Sequence, residues 1–582
     1  MNTEFRKQAP APLAARPIRL PRASGASLSN GLAVVMVEDR RLPLVSFRLA
    51  FRSGDAHDPH ELPGLTDMLA GLLTEGTESR SSREIADEVA SMGATLTAGA
   101  NSDYTTVAAS SLSVFSEKIL ELMADVTLRP SFPANEVELT KQNTKESLRQ
   151  QRAQPSFLAT EMVSRVMFGD HPYSLIAPTP ESIDATTRER LVDFHRSKFL
   201  PNNAVLIAVG DLHPDSLLKQ IDSLFGSWNK GEVELDAFPA PPTRRTRSAY
   251  LVDRPGSAQS NIVIANAGMT RTSTDYFPML LMHTVLGANA SSRLFMNLRE
   301  EKGYTYGAYT NLDARRSAGT FRATAEVRTP VTGDSLKEFF YELDRIRSLP
   351  ISQKEIGDAK SYLTGVFPIR LETQEGVIDQ LVQIKMFGLP DNYLETYRDR
   401  VQAVTIDEIQ RVASKYVKPD EAAIVIVGDG RQIVEQVEPY APEIEFYNTA
   451  GKRKERPSVA SGASSRQALE DLAGSWMLEI QTPLGQSIPA TLVLVADEAG
   501  LGGRVESEMG DAKITSASFQ DGLFAATILF DMDGPAMEAQ ISGNVEGTQM
   551  EGSVSLQNTQ ELPFTGSQQR QEQTAGAEGS RQ

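Results

Sequence analysis

Chemistry in this 582-residue sequence has few places to reside: six histidines, no cysteine, and polar side chains in two helical stretches. The absence of cysteine removes disulfides, thiolate metal sites and a cysteine nucleophile. His57 and His60 make an H-x-x-H in HDPHE, but they fall in a loop beside Pro59, where an imidazole is ordinarily solvated. His171, His195, His213 and His283 have no spaced partner. In PGLTDMLAGLLTEGT (63–77), Leu65, Met68, Leu69, Leu72 and Leu73 follow helical spacing and must face a core. Asp67, Ala70, Gly71 and Thr74 share the other face at i, i+3, i+4 spacing, and of these only Asp67 offers an ionised donor.

The second stretch is LGANASSRLFMNLREEKGYTYGAYTNL (286–312). Leu294, Phe295 and Leu298 give it a buried face, and Ser291 or Ser292 can cap its start. Gly303 supplies a left-handed stop and TYGAYTNL continues as a strand. Arg299 therefore falls in the last helical turn and Tyr306 near the start of the strand. Read alone, an arginine there meets the helix dipole and a strand tyrosine packs.

The elements that position these residues occur twice. FHRSKFLPNNAVLIAVGDL (194–212) matches RVASKYVKPDEAAIVIVGDG (411–430), with Pro201/Pro419 and Gly210/Gly428 both 218 positions apart. Met167-Phe168-Gly169 matches Met386-Phe387-Gly388, and Glu136 and Lys141 match Glu355 and Lys360, at an offset of 219. Strand-like segments such as LPLVSFRLAF and SNIVIANAGM open the units, and amphipathic stretches such as 114–128 follow, which indicates two α+β domains. The expected boundaries are a flexible tail 1–20, a first unit 21–235, a linker 236–248, a second unit 249–448 and a linker 449–469. Residues 470–566 read as roughly eight short strands with glycine turns, a small all-β barrel or sandwich, with Gly474-Ser475-Trp476 weakly similar to a lipocalin start. Residues 567–582 read as a disordered tail.

From GDAHDPHELPGLTDML through EGTESRSSREIADEVASMGATLTAGANSDYT, and across the duplication over about residues 25–448, the sequence resembles the M16 (pitrilysin/insulinase) peptidases, which include mitochondrial processing peptidase. The resemblance implies two homologous LuxS/metallohydrolase-like units, each an antiparallel sheet with helices. In active members the first helix carries H-x-x-E-H, two histidines ligating zinc and a glutamate activating the bound water. Here those positions fall on Asp67, Ala70 and Gly71, and a distal glutamate ligand falls on Ser147, next to Glu146. One carboxylate cannot replace the three or so protein ligands that catalytic zinc needs. The family's second signature, an arginine and a tyrosine seven apart, maps onto Arg299 and Tyr306. A guanidinium and a phenol both donate to a carbonyl oxygen that is gaining negative charge. Arg293, in the same motif, is expected to serve structure or to contact substrate backbone.

What the resemblance implies is a non-zinc-binding subunit that is inactive alone. It would contribute Arg299 and Tyr306 in trans to a zinc-bearing M16 subunit in a heterodimer, over an extended peptide substrate. The alternative is a catalytically inactive peptide-binding or assembly scaffold, like the core subunits of respiratory complexes. A net charge of −18 and a pI near 5.0 argue against nucleic acid or an anionic membrane surface as the main partner. With no membrane span and no signal-peptide run in MNTEFRKQAPAPLAARP, the expected compartment is the cytoplasm; a misassigned start or a trimmed precursor would make it the periplasm.

Overall fold

A computed structural model describes residues 22–233, 237–457, 466–482, 487–497, 500–507, 510–520, 522–530, 537–556 and 562–569. The expected tail 1–20 lies outside them. The chain forms two compact units: one comprises the residues up to 252, 259–427 and 437–455, the other 253–258, 428–436 and the residues from 456 onward. No helix among the described residues is long and apolar enough to cross a membrane.

The first unit holds both halves of the duplication. In the first half, strands β1 (Ala23–Ser27), β2 (Ala33–Glu38), β3 (Leu44–Phe51), β4 (Thr95–Ala100), β5 (Thr105–Leu112) and β6 (Ala204–Gly210) form a sheet in the order β1-β2-β6-β3-β5-β4. All neighbours are antiparallel except β2 and β6. The second half contributes β7 (Ser248–Asp253), β8 (Gln259–Ala267), β9 (Thr305–Ala314), β10 (Gly319–Arg328), β11 (Ala423–Gly428), β12 (Ile444–Asn448) and β13 (Arg453–Lys454), in the order β13-β12-β7-β11-β8-β10-β9. The central strands β6 and β11 are the repeated apolar runs AVLIAVG and AIVIVG, and both are buried along their whole length. An apolar run without alternation fits a strand covered on both faces.

The halves exchange helices. The Gln374–Met386 helix of the second half packs on β3 and β6, and the Pro155–Phe168 helix of the first packs on β8. Leu158, Met162, Val163 and Met167 thereby join Val263, Ala265, Val425 and Val427 in one core. These are the helices that end in the repeated Met-Phe-Gly. Both glycines take positive φ, 56° at Gly169 and 63° at Gly388, a backbone that favours glycine after a helix.

The second unit holds a closed barrel of eight strands, β14 (Gly474–Gln481), β15 (Ser487–Asp497), β16 (Gly500–Ser507), β17 (Ala512–Gln520), β18 (Leu523–Phe530), β19 (Met537–Glu546), β20 (Gln549–Leu556) and β21 (Leu562–Gln569). It is a barrel rather than a sandwich because β21 returns to pair with β14. Trp476, Leu478, Leu492, Phe524, Ile541 and Phe564 pack together as its core, and the Trp476 Nε1–H donates to the Leu472 carbonyl at 2.9 Å.

Three boundaries shift from the sequence reading. Ser248, expected in the linker, begins β7, and β12 and β13 carry the second sheet past 448 to Lys454. The final barrel strand runs to Gln569 rather than 566, since β14 pairs with it as far as that residue. The rest of the expected C-terminal tail lies outside the described residues.

Candidate functional site

The Leu65–Leu72 helix begins at Gly64, whose φ of 89° is left-handed. Its free N–H groups are satisfied from a distance: the Asp58 carboxylate accepts from Gly64 N at 2.7 Å and from Thr66 N at 2.9 Å. Leu65, Met68, Leu69 and Leu72 are buried as their spacing requires. Ala70, expected on the open face, is fully buried as well, because the helix lies against β4 and β5 and that flank is covered. Asp67 and Gly71 remain open to a cavity of about 680 Å³ that Ser147, Asn143 and Thr144 line from the Ala134–Arg152 helix. Three of the four positions mapped from the zinc motif thus meet at one cavity, and Ala70 does not line it.

That cavity is acidic. Asp55, Asp58 and Asp67 all line it. Burial, then the charges of Asp67 and Asp58, push the Asp55 pKa up to about 7, with Arg315 opposing. Burial raises Asp58 to about 6 against the hydrogen bonds it accepts from Thr66 and Gly64. Burial also raises Asp67, partly offset by the backbone of Ala100. Neither Asp55 nor Asp58 was singled out from sequence; the HDPHE loop drew notice only for its histidines. Ser147 Oγ accepts from Gln151 Nε2 at 3.1 Å, while Glu146 pairs with Arg149 on the exposed side. Among the described residues no three His, Cys, Asp or Glu side chains cluster closely enough to hold a metal ion. The donor set does not fit zinc: Asp58 is engaged as a helix cap and the histidine positions carry none.

Three of the four scattered histidines serve the packing, and His213 is exposed beside Arg40. His195 Nε2 donates to the Thr127 carbonyl at 2.8 Å, and burial lowers its pKa to about 4. Burial likewise holds His283 at about 4, beside Thr310 Oγ1. His171 lies next to Ser317 Oγ at 3.0 Å and is fully enclosed. Neutral core imidazoles result.

In the second half, Ser292 stands at the helix N-cap, but its hydroxyl donates to the Asn289 carbonyl at 2.6 Å and caps no N–H. After one turn the backbone widens to a π-helix over Met296–Glu301, with Lys302 N bonding to Asn297 O at 3.0 Å. Such widened turns frequently accompany functional sites. Gly303 then adopts a φ of 65°, the left-handed stop that its position requires. Arg299 falls in the last widened turn; its side chain is 45% exposed, its guanidinium lies 4.9 Å from the centre of the Phe295 ring, and Nη1 meets Glu300 at 3.0 Å.

Tyr306 sits on β9, the edge strand of its sheet, and is 89% exposed. Around it the register slips: Thr305 pairs with Val327 and Ala308 with Ala325, so Tyr306 and Gly307 oppose Glu326 alone. This is a β-bulge, a device that re-aims a side chain. Thr305 Oγ1 holds it by accepting from Gly307 N at 3.1 Å and donating to Gly307 O at 2.9 Å. Arg293 is different. Its side chain is only 7% exposed and Nε donates to Glu355 at 2.7 Å, which together with Ser352 outweighs the burial of Glu355 and lowers that pKa to about 2. Of the two roles expected of Arg293, structure or a contact to substrate backbone, this internal ion pair between two helices serves the first.

Two duplicated sheet-and-helix halves, with Asp67 the one ionisable donor at the first helix's mapped positions, define a metallopeptidase-type fold with no metal-binding cluster among the described residues. The comparisons agree. The family description "Insulinase (Peptidase family M16)" matches residues 33–181 and "Peptidase M16 inactive domain" matches 185–363; the chain belongs to the M16 peptidase family. It is 24% identical over 392 residues to an uncharacterized zinc protease of Streptomyces coelicolor, covering 66% of this chain and 85% of that protein. It is 22% identical over 408 residues to the non-peptidase homolog YmxG of Helicobacter pylori, covering 69% of this chain and 92% of that protein. The crystal structure of a peptidase M16 inactive domain from Pseudomonas fluorescens superposes with a TM-score of 0.66 at 26% identity, covering 70% of this chain and 98% of that one.

Proposed function

We propose that this chain is the zinc-free subunit of a two-chain M16 endopeptidase, giving Arg299 and Tyr306 to a site whose metal is held by a zinc-bearing partner. The observation that carries this reading is Tyr306: a phenol left 89% exposed on a bulge of an edge strand contributes little packing to its own sheet. Arg299, also open to solvent, comes from the helical turn that leads into the same strand. In a closed heterodimer the two side chains would donate hydrogen bonds to the scissile carbonyl as it becomes an oxyanion. The open backbone of an edge strand, β4 or β9, suits an extended peptide that adds as a further strand. The first half, 21–235, keeps the shape of the metal-binding domain without its donors, and the second, 249–448, carries the pair. The barrel is an appended docking or stabilising module in this reading.

The test is to measure zinc content and peptide cleavage for the chain alone and mixed with a zinc-bearing M16 chain, for wild type and for Arg299→Ala/Tyr306→Phe. The expected result is a metal-free, inert chain whose mixture cleaves, with cleavage lost in the double variant while the complex persists. Cleavage that is indifferent to the double variant would sink the reading. The scaffold alternative draws its support from the printed name of the Helicobacter pylori relative, a non-peptidase homolog. A complex that forms and never cleaves would favour it.

A further inference from the structure

Each half of the duplication has a cleft between the segment leading into its first long helix and the loop after its Met-Phe-Gly helix. In the first half this is the acidic cavity around Asp67, lined from 55 to 71 and from 169 to 178. In the second half it is a cleft of about 470 Å³ lined by residues 271–278, 388–393 and 400–408. Its charge is reversed. Arg271 is only 8% exposed, yet no ion pair neutralises it among the described residues. Its guanidinium lies 3.8 Å from the ring centre of Tyr276 and 5.1 Å from that of Tyr393, and among the described residues its side-chain hydrogen bond runs from Nη2 to Tyr393 Oη at 2.7 Å. Arg271 also borders a second cavity lined by Asp103 and Asp313, but neither makes an ion pair with it, so a buried cation bonded to one phenol keeps most of its five donors for a ligand.

The rest of the lining points the same way. Arg400 lies over the rings of Phe277 and Tyr393, at 5.7 and 6.0 Å, again without a carboxylate among the described residues. The neighbouring acids are already engaged: Asp275 pairs with Arg411 and Lys415, both within 2.8 Å, and Glu408 accepts from Thr405 N and Oγ1 as a helix cap. Thr272, Ser273 and Thr274 add hydroxyls to the rim, and Phe277, Pro278 and Leu389 add apolar wall. Two arginines set against aromatic faces recognise a planar anion: the fork takes the oxygens and the rings take the body. We propose that this cleft binds a small aromatic anion, a carboxylate or a phosphate monoester, at a site separate from Arg299 and Tyr306.

Calorimetric titration of the full chain with benzoate, phenyl phosphate and benzylamine tests this. Saturable binding of benzoate or phenyl phosphate is expected, with none of benzylamine; whichever anion binds more tightly names the headgroup. Arg400→Gln, at a half-buried site, should weaken binding at least ~tenfold, the usual worth of a charged hydrogen bond. Arg271→Lys, which keeps the charge and loses the fork, should weaken it as well. Absence of saturation by both anions, equal binding of benzylamine, or undiminished affinity in both folded variants would overturn the proposal. Should Arg271→Lys fail to fold, Arg400→Gln decides alone.

Discussion

The two clefts of the duplication occupy matching places and have opposite chemistry. In the first half, three aspartates crowd one cavity, and burial and mutual repulsion push Asp55 to about 7 and burial lifts Asp58 to about 6. In the second, burial also opposes ionisation of Asp275, but Arg411, Lys415 and Tyr416 outweigh it and hold it well below the usual carboxylate range, while Arg271 and Arg400 line the cleft. The sheet orders and the glycines after the exchanged helices stayed alike. What the difference teaches is that the frame is fixed by apolar strands and exchanged helices, so the lining is free to change. Asp67, Gly71 and Ser147, three of the positions mapped from the zinc motif, lie in that lining.

The largest expected effect lies with the exposed pair. Arg299→Ala with Tyr306→Phe should cut cleavage by the mixed complex ~10²–10³-fold, the loss typical of removed oxyanion donors, while urea midpoints of the isolated chain change little, since Tyr306 is exposed and the contacts of Arg299 with Phe295 and Glu300 are half open to solvent. A fall in the midpoint instead would place the pair in the frame. The exchanged helices are next. Leu158→Ala on one and Ile378→Ala on the other, both buried, should each cost about 2–4 kcal/mol, and limited proteolysis should show both sheets opening together. Independent opening of one half would break the picture of a shared frame.

Asp55→Asn sharpens the electrostatic contrast. Asp55 titrates near 7 folded against 3.8 unfolded, so its contribution is fully present below pH 3.8 and is lost as pH rises through 7. The asparagine variant should equal wild type at pH near 4 and exceed it by about 1–3 kcal/mol at pH 8, read from denaturation curves at the two values. Equal stability at pH 8 would mean that the cavity is wet enough to screen the charge. Smallest is Glu375→Gln, which breaks the 2.5 Å pair with Arg48 across the two halves. With Glu375 half exposed, a loss of only about 0.2–1 kcal/mol is expected, diminishing in high salt.

Much of this was legible in the sequence because it depends on local pattern. The repeats at offsets of 218 and 219, the apolar strands, the glycine stop at 303 and the strand beginning beside Tyr306 all follow from spacing and residue type. So does the mapping of the zinc positions onto Asp67, Ala70, Gly71 and Ser147, of which only Asp67 carries an ionisable donor. Ala70 shows where the pattern stopped: helical spacing separates two faces, but it does not say that β4 covers the flank of the second. Arg293 shows the same limit, since its partner Glu355 is 62 residues away.

The sequence by itself determined that two like α+β halves precede a β-rich domain, and that the arginine–tyrosine pair sits where helix meets strand. Periodicity and turn chemistry act within a few residues and need no partner. Only the tertiary structure decided that the halves exchange helices, that β21 closes the barrel on β14, that a bulge presents Tyr306 to solvent, and that one cleft is acidic and the other cationic. Those outcomes depend on which apolar face finds which sheet and on charges brought together from distant positions, and no local pattern records either.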